Sequence, residues 1–201
     1  MNDLPRIAPA LLELCQESVT TDLGPGTPNE KARPRLEALN VPDSFEPDVV
    51  VDDLHAQACL AGLWLRHHFL DTSHEISQRI DSDPTGSFWH AIMHRREGDF
   101  GNSKYWFSRA GDHPACADIT REVMKLPDHD GFPRAKQALA GDGWDAAGFV
   151  DAVQEALDSR DSAKITFLQA VQEIEWDCLF RFCYEQAVGR LDPQGRNPVD
   201  V

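Results

Sequence analysis

Apolar residues recur every three or four positions over most of this chain, and no stretch alternates apolar with polar residues over a strand's length. Between Asp52 and Leu70, Leu54, Ala58, Ala61 and Leu65 keep helical spacing, and Trp64, Phe69 and Leu70 thicken the stripe. That pattern predicts a largely buried helix ending near Leu70. Thr72-Ser-His-Glu75 fits a capping box, in which hydroxyl and carboxylate satisfy free backbone N–H groups, and predicts a short helix to Ile80. Asp83-Pro84 then opens a predicted helical hairpin, since Asp caps a helix and Pro suits its first turn. The hairpin breaks at Gly98-Asp99 and stops at Gly111, with Pro114 just beyond. A helix over Ala115 to Lys125, a loop rich in Asp, Gly and Pro, and a helix over Trp144 to Leu157 follow. The last predicted helix, Ser162 to Val188, carries Ile165, Leu168, Val171, Ile174, Leu179 and Phe182 on its apolar side.

The first 47 residues read differently, because seven of the thirteen prolines fall there and only Ile7–Ser18 and a short stretch near Asn29–Leu39 suit helices. We read 1–47 as a proline-rich arm packed on a helical domain over 48–190, with 191–201 as a flexible tail. Asp48-Val-Val-Val-Asp52 is too short to found a sheet. The expected fold is all-α: a single-domain, irregular bundle of about seven or eight helices with a central helical hairpin.

Composition narrows the function classes. Thirty-four acids against nineteen Lys and Arg leave a formal charge of −15, which repels nucleic acid and anionic membrane surfaces. The start lacks a basic region, and the longest apolar run, Ala58 to Leu65, is too short to cross a bilayer. Five cysteines without CxxC spacing suit free thiols in a reducing compartment, so a cytoplasmic protein is expected.

Against this background the segment from Phe88 to Pro114 stands out, because it mixes aromatic and ionisable residues as a buried polar site does. On a helix His90, His94 and Glu97 fall within about a 60° arc. Two histidines four residues apart can ligate one divalent metal such as zinc, with a third ligand from His74, Asp71 or His113. Zinc-protease chemistry is excluded, since Ala91 stands where the metalloprotease pattern needs Glu. The alternative is that both histidines bond to acids or carbonyls within a polar helix interface.

Residues 88–111 carry +2, leaving −17 on the remainder, so the hairpin is a cationic island. Arg95 and Arg96 need either acid partners on neighbouring helices or a bound anion, and the backbone N–H groups near Phe100–Ser103 offer an anion cradle. Asn102, Trp106 and Arg109 share one side of the second helix and can form a polar-ligand wall, with Lys104, Tyr105 and His113 close in sequence. Asp52-x-x-His55 and Asp71-x-x-His74 pair a carboxylate with an imidazole, as orienting pairs or as caps. Gly141-Asp-Gly143-x-x-Ala146 follows a helix-like segment and carries acids, which excludes dinucleotide binding.

The run His90-x3-His94-Arg-Arg-Glu-Gly-Asp99-x2-Asn102-x2-Tyr105-Trp106-x2-Arg109-x-Gly111-x-His113-Pro114 resembles the signature of a group of mainly bacterial proteins with no established activity. The resemblance implies that these positions act as one motif and implies no mechanism. Gly98-x-Phe100-x2-Ser103-x3-Phe107-x2-Ala110-x3-Pro114 is similar to the second half of a tetratricopeptide repeat, but no second copy follows at that period. The expectation drawn from the residues is a pocket for a small anionic or polar ligand, with hydrolase-type, metal-assisted or acid–base chemistry. In it His90 and His94 act as ligands or bases, Glu97 and Asp99 carry or orient protons, and Arg95, Arg96 and Arg109 hold substrate charge. The rival expectation is a scaffold or protein-interaction module whose polar motif is a buried structural network.

Overall fold

A computed structural model describes residues 7–127 and 133–189. Ten α-helices, one 3-10 turn and no strand occur among them, giving an all-α bundle. In chain order the helices are α1 (Pro9–Gln16), α2 (Arg33–Glu37), α3 (Asp53–Arg66), α4 (Leu70–Arg79), α5 (Pro84–Glu97), α6 (Phe100–Ala110), α7 (Ala115–Met124), α8 (Pro133–Ala140), α9 (Ala146–Ser159) and α10 (Ser162–Ala187). No described helix is long and apolar enough to cross a membrane.

The hairpin of α5 and α6 sits against α3, α4 and α9. Its local chemistry follows the sequence: Asp83 accepts from the Thr85 N–H at 2.8 Å, Asp99 accepts from the Asn102 N–H at 3.0 Å, and Gly98 makes the turn at φ 91°. The Ser103 hydroxyl donates to the Ala91 carbonyl at 2.8 Å, so a small polar side chain draws the two helices together. Behind the hairpin, Trp89 is fully buried and lies so close to α3 that a Cβ on Gly62 would sit 2.8 Å from its ring. Trp176 of α10 donates to the Gly62 carbonyl at 2.9 Å, which joins α3 to α10 at the same point.

Local expectations change first at α3, which ends at Arg66 and not near Leu70. α4 starts at Leu70, so Thr72 lies inside its first turn and no side chain caps it. The tight turn after α3, with His68 at φ 65°, tucks Phe69 against Trp64 at 5.2 Å between ring centres. Burial of that ring begins the helix three residues earlier than the capping box would. α8 falls where a loop was expected, because Pro133 opens a short run of good helix formers, Ala135-Lys-Gln-Ala-Leu-Ala140. Finally, the described part of the 1–47 segment is a wall of the core as well as a wrap: Leu11, Leu23, Leu36 and Phe45 are at most 1% exposed. Each contributes roughly 1.5–3 kcal/mol by leaving water. The segment is also tied by polar bonds, the Tyr184 hydroxyl accepting from the Ala8 N–H at 2.8 Å and His67 Nε2–H donating to the Leu14 carbonyl at 3.1 Å. The expected tail over 191–201 lies outside the described residues.

Candidate functional site

The two sides of α5 have opposite environments. On one side His90 and His94 meet His74 of α4, and the candidate ligand atoms of the three rings all lie within 4.8 Å of one another. Ring centres are 4.7 Å apart for His74 and His90, 4.7 Å for His90 and His94, and 5.3 Å for His74 and His94. Trp106 of α6 stacks on His90 at 4.1 Å, closing the side away from α4. The third candidate ligand therefore comes from α4, which Ser73 fixes by donating its hydroxyl hydrogen to the Ala61 carbonyl of α3 at 2.9 Å. Asp71 is exposed on α4 and has no place in the three-histidine group.

His94 is oriented and His90 is not. His94 Nδ1–H donates to Glu97 at 2.5 Å, which leaves Nε2 with its lone pair, 3.0 Å from the Asn102 amide nitrogen. His90 is 2% exposed, and neither ring nitrogen has a hydrogen-bond partner. Its nearest acid is Asp81, whose carboxylate is 4.0 Å from Nδ1 and 31% exposed. Burial, and then the neighbouring His94 and His74, push His90 down to about 4, so the ring is neutral at neutral pH. A neutral imidazole with two unmet nitrogens is costly when buried. A cation bound between the three rings would meet that cost, so this donor set fits a divalent transition metal. His94, Glu97 and Asp99 form a second convergent group at the open end, with both acids exposed.

On the other side of α5 both guanidinium groups find acceptors within the protein, although Arg95 Nε itself has none. Arg95, fully buried, forms a two-pronged pair with the fully buried Glu175 of α10 and lies 4.4 Å over the Phe149 ring of α9. Arg96 Nε–H donates to the Gly24 carbonyl at 2.7 Å, and its NH2 group donates to His68 Nδ1 at 2.7 Å. His68 Nε2–H in turn donates to the Thr20 carbonyl at 2.9 Å. The expected ligand-holding arginines thus serve α10 and the N-terminal segment, with burial and Arg95 pulling Arg96 down to about 10.

The remaining predicted residues divide. Asn102 and Trp106 touch the histidines. Tyr105 is 55% exposed with its ring edge on Trp106 at 5.2 Å, Arg109 is exposed, and Lys104 pairs with Asp151 of α9. His113 lies in a separate chain of bonds. The Ala115 N–H donates to its Nδ1 at 3.2 Å, so Nε2–H donates to the Thr85 hydroxyl at 3.1 Å. Thr85 donates onward to His55 Nε2 at 3.4 Å, and His55 Nδ1–H donates to Asp52 at 2.8 Å. Asp52 also caps α3, accepting from the His55 N–H at 3.2 Å, so that expected pair is both cap and orienter. Sequence reasoning missed Asp81, Thr85, His67 and His68; no periodicity or spacing marks any of them as a partner of the motif. A cavity of about 540 Å³ and another of about 650 Å³ are lined by none of His74, His90 and His94, and His113 lines the second.

No family model, curated protein or solved structure matches the chain at a significant level.

Proposed function

We propose that His74, His90 and His94 bind one divalent transition metal, with zinc the first candidate, and that the protein uses it on a small polar or anionic molecule in hydrolase-type chemistry. The observation that carries the reading is the pair of buried, unpartnered ring nitrogens of His90, set within 4.8 Å of ligand atoms on two other imidazoles. Such a metal supplies Lewis acidity and a bound water that is acidic enough to act as a nucleophile near neutral pH. Glu97 holds the tautomer of His94 that turns Nε2 toward a metal, and Asn102 occupies that nitrogen otherwise. Asp81 is the nearest carboxylate to His90 and would supply a further oxygen ligand or a proton acceptor beside the metal. Glu97 and Asp99, exposed at the rim, can exchange protons with solvent. Trp106 excludes water from one face of His90.

A second reading, a scaffold whose motif is a structural network, draws support from the arginine side of α5, where Arg95 and Arg96 find acceptors within the protein. Metal analysis of untagged protein from metal-replete cells separates the two. The metal reading expects about one equivalent, lost in His90→Ala, and it fails if wild type carries no stoichiometric metal.

A further inference from the structure

Arg95 and Arg96 find acceptors within the protein, whereas Arg181 finds no carboxylate among the described residues. Arg181 of α10 is half-buried and has no carboxylate in ion-pair range among the described residues. Its Nε is buried without a hydrogen-bond partner, and its recorded polar contact is a long one, NH2 to the Cys178 sulfur at 3.9 Å. A guanidinium offers five donors in a planar fork and accepts nothing, so one held partly out of water without an oxygen acceptor lacks its natural complement.

Arg181 lines the cavity of about 540 Å³ between α1, α7 and α10, a size suited to a small molecule. Arg66 of α3 lines it too, with its guanidinium 4.7 Å over Trp176 and its own Nε unpartnered. Lys125 and Arg121 stand exposed at the rim. Of the three acids in the wall, Glu173 is already taken by Arg66 at 3.0 Å and by the Thr21 hydroxyl. Glu122 is taken by Lys125 at 2.9 Å and Arg121 at 3.2 Å. Asp177 is the third; burial pushes its carboxyl up while the charges of Arg66 and Arg181 pull it down, so it lies within electrostatic reach of both guanidiniums without forming an ion pair with either. No acid in the wall pairs with Arg181.

We propose that this cavity is a binding site for a small oxyanion, a carboxylate or a phosphate, held by the fork of Arg181 with Arg66 beside it. A planar guanidinium engages two oxygens of either group in parallel, the geometry that a lone lysine cannot supply. The site shares no residue with the histidine cluster, so it stands or falls apart from the metal reading.

Inorganic phosphate and benzoate, each titrated at constant ionic strength against sodium chloride, test it through Tm and through the fluorescence of Trp176 in the wall. The expected result is a saturable rise in Tm with one or both anions, with phosphate alone or benzoate alone identifying which oxyanion fits. Arg181→Gln should weaken that response at least tenfold and Arg181→Lys should weaken it less, while Arg109→Gln, exposed on α6, should leave it unchanged. Because Arg181 forms no ion pair among the described residues, Arg181→Gln should melt near the wild-type temperature without anion. Silence with both anions, a response equal to that of chloride, or an undiminished response in Arg181→Gln would overturn the proposal.

Discussion

Arg95 and His94 are consecutive residues of α5, both buried, yet the first has its charge paired within the chain and the second belongs to a cluster with two unmet ring nitrogens. Arg95 has Glu175 and two phenylalanine rings around it, at 4.4 and 5.9 Å. Arg96 has a carbonyl and a neutral imidazole. One turn earlier, His90 is as deeply buried with both nitrogens unmet. The difference teaches that residue types alone do not separate structural from functional polarity. A buried charge that finds its complement within the chain specifies packing. A buried polar ring that finds none stays costly unless something from outside completes it.

The largest test of this contrast lies on the arginine side. Arg95→Met strands the Glu175 carboxylate in the core, so the variant should lose about 3–5 kcal/mol in urea denaturation. The Arg95→Met/Glu175→Leu double variant should recover most of that loss. If the single variant were neutral, the arginine side would not be the structural half of the motif.

Next comes acid. His113 is 3% exposed and pushed down to about 4, chiefly by burial, and its Nδ1 accepts from the Ala115 N–H. Its ordinary value is 6.5, so between pH 6.5 and 4 the unfolded chain binds a proton that the folded chain refuses. Stability is therefore whole above pH 6.5 and falls as pH drops toward 4, by on the order of 3 kcal/mol. His113→Gln should flatten that slope, and an unchanged slope would remove His113 as its source.

The smallest expected change is the most discriminating. In metal-free protein His90→Phe removes two unmet nitrogens and keeps a flat ring between His94 and Trp106, so stability should stay within about 1 kcal/mol of wild type. Added zinc should raise Tm in wild type and leave His90→Phe unmoved. A large loss in the metal-free variant would show that His90 has a structural partner after all.

Much of this was legible locally. The hairpin followed from Asp83-Pro84, Gly98-Asp99 and Gly111, and the histidine stripe from a spacing of four, because both depend on neighbours within one or two turns. His74 was one of three candidate third ligands, and only the packing of α4 on α3 separates it from Asp71 and His113. For the arginines the sequence left a bound anion and acids on neighbouring helices both open, because their acceptors are far away in the chain, Gly24 for Arg96 and Glu175 for Arg95. No periodicity announces a carbonyl in a loop. The early segment was read as an arm since prolines interrupt its helices, yet Leu11, Leu23 and Phe45 show that broken secondary structure can still bury a core.

The central claim is that the histidine side of α5 is incomplete without a cation, and imidazole nitrogen NMR reads it at the atoms concerned. Addition of one equivalent of zinc to metal-free protein should shift the ring ¹⁵N resonances of His74, His90 and His94, leaving those of His67, His68 and His113 in place. Unmoved resonances for His90 at saturating zinc would contradict the account.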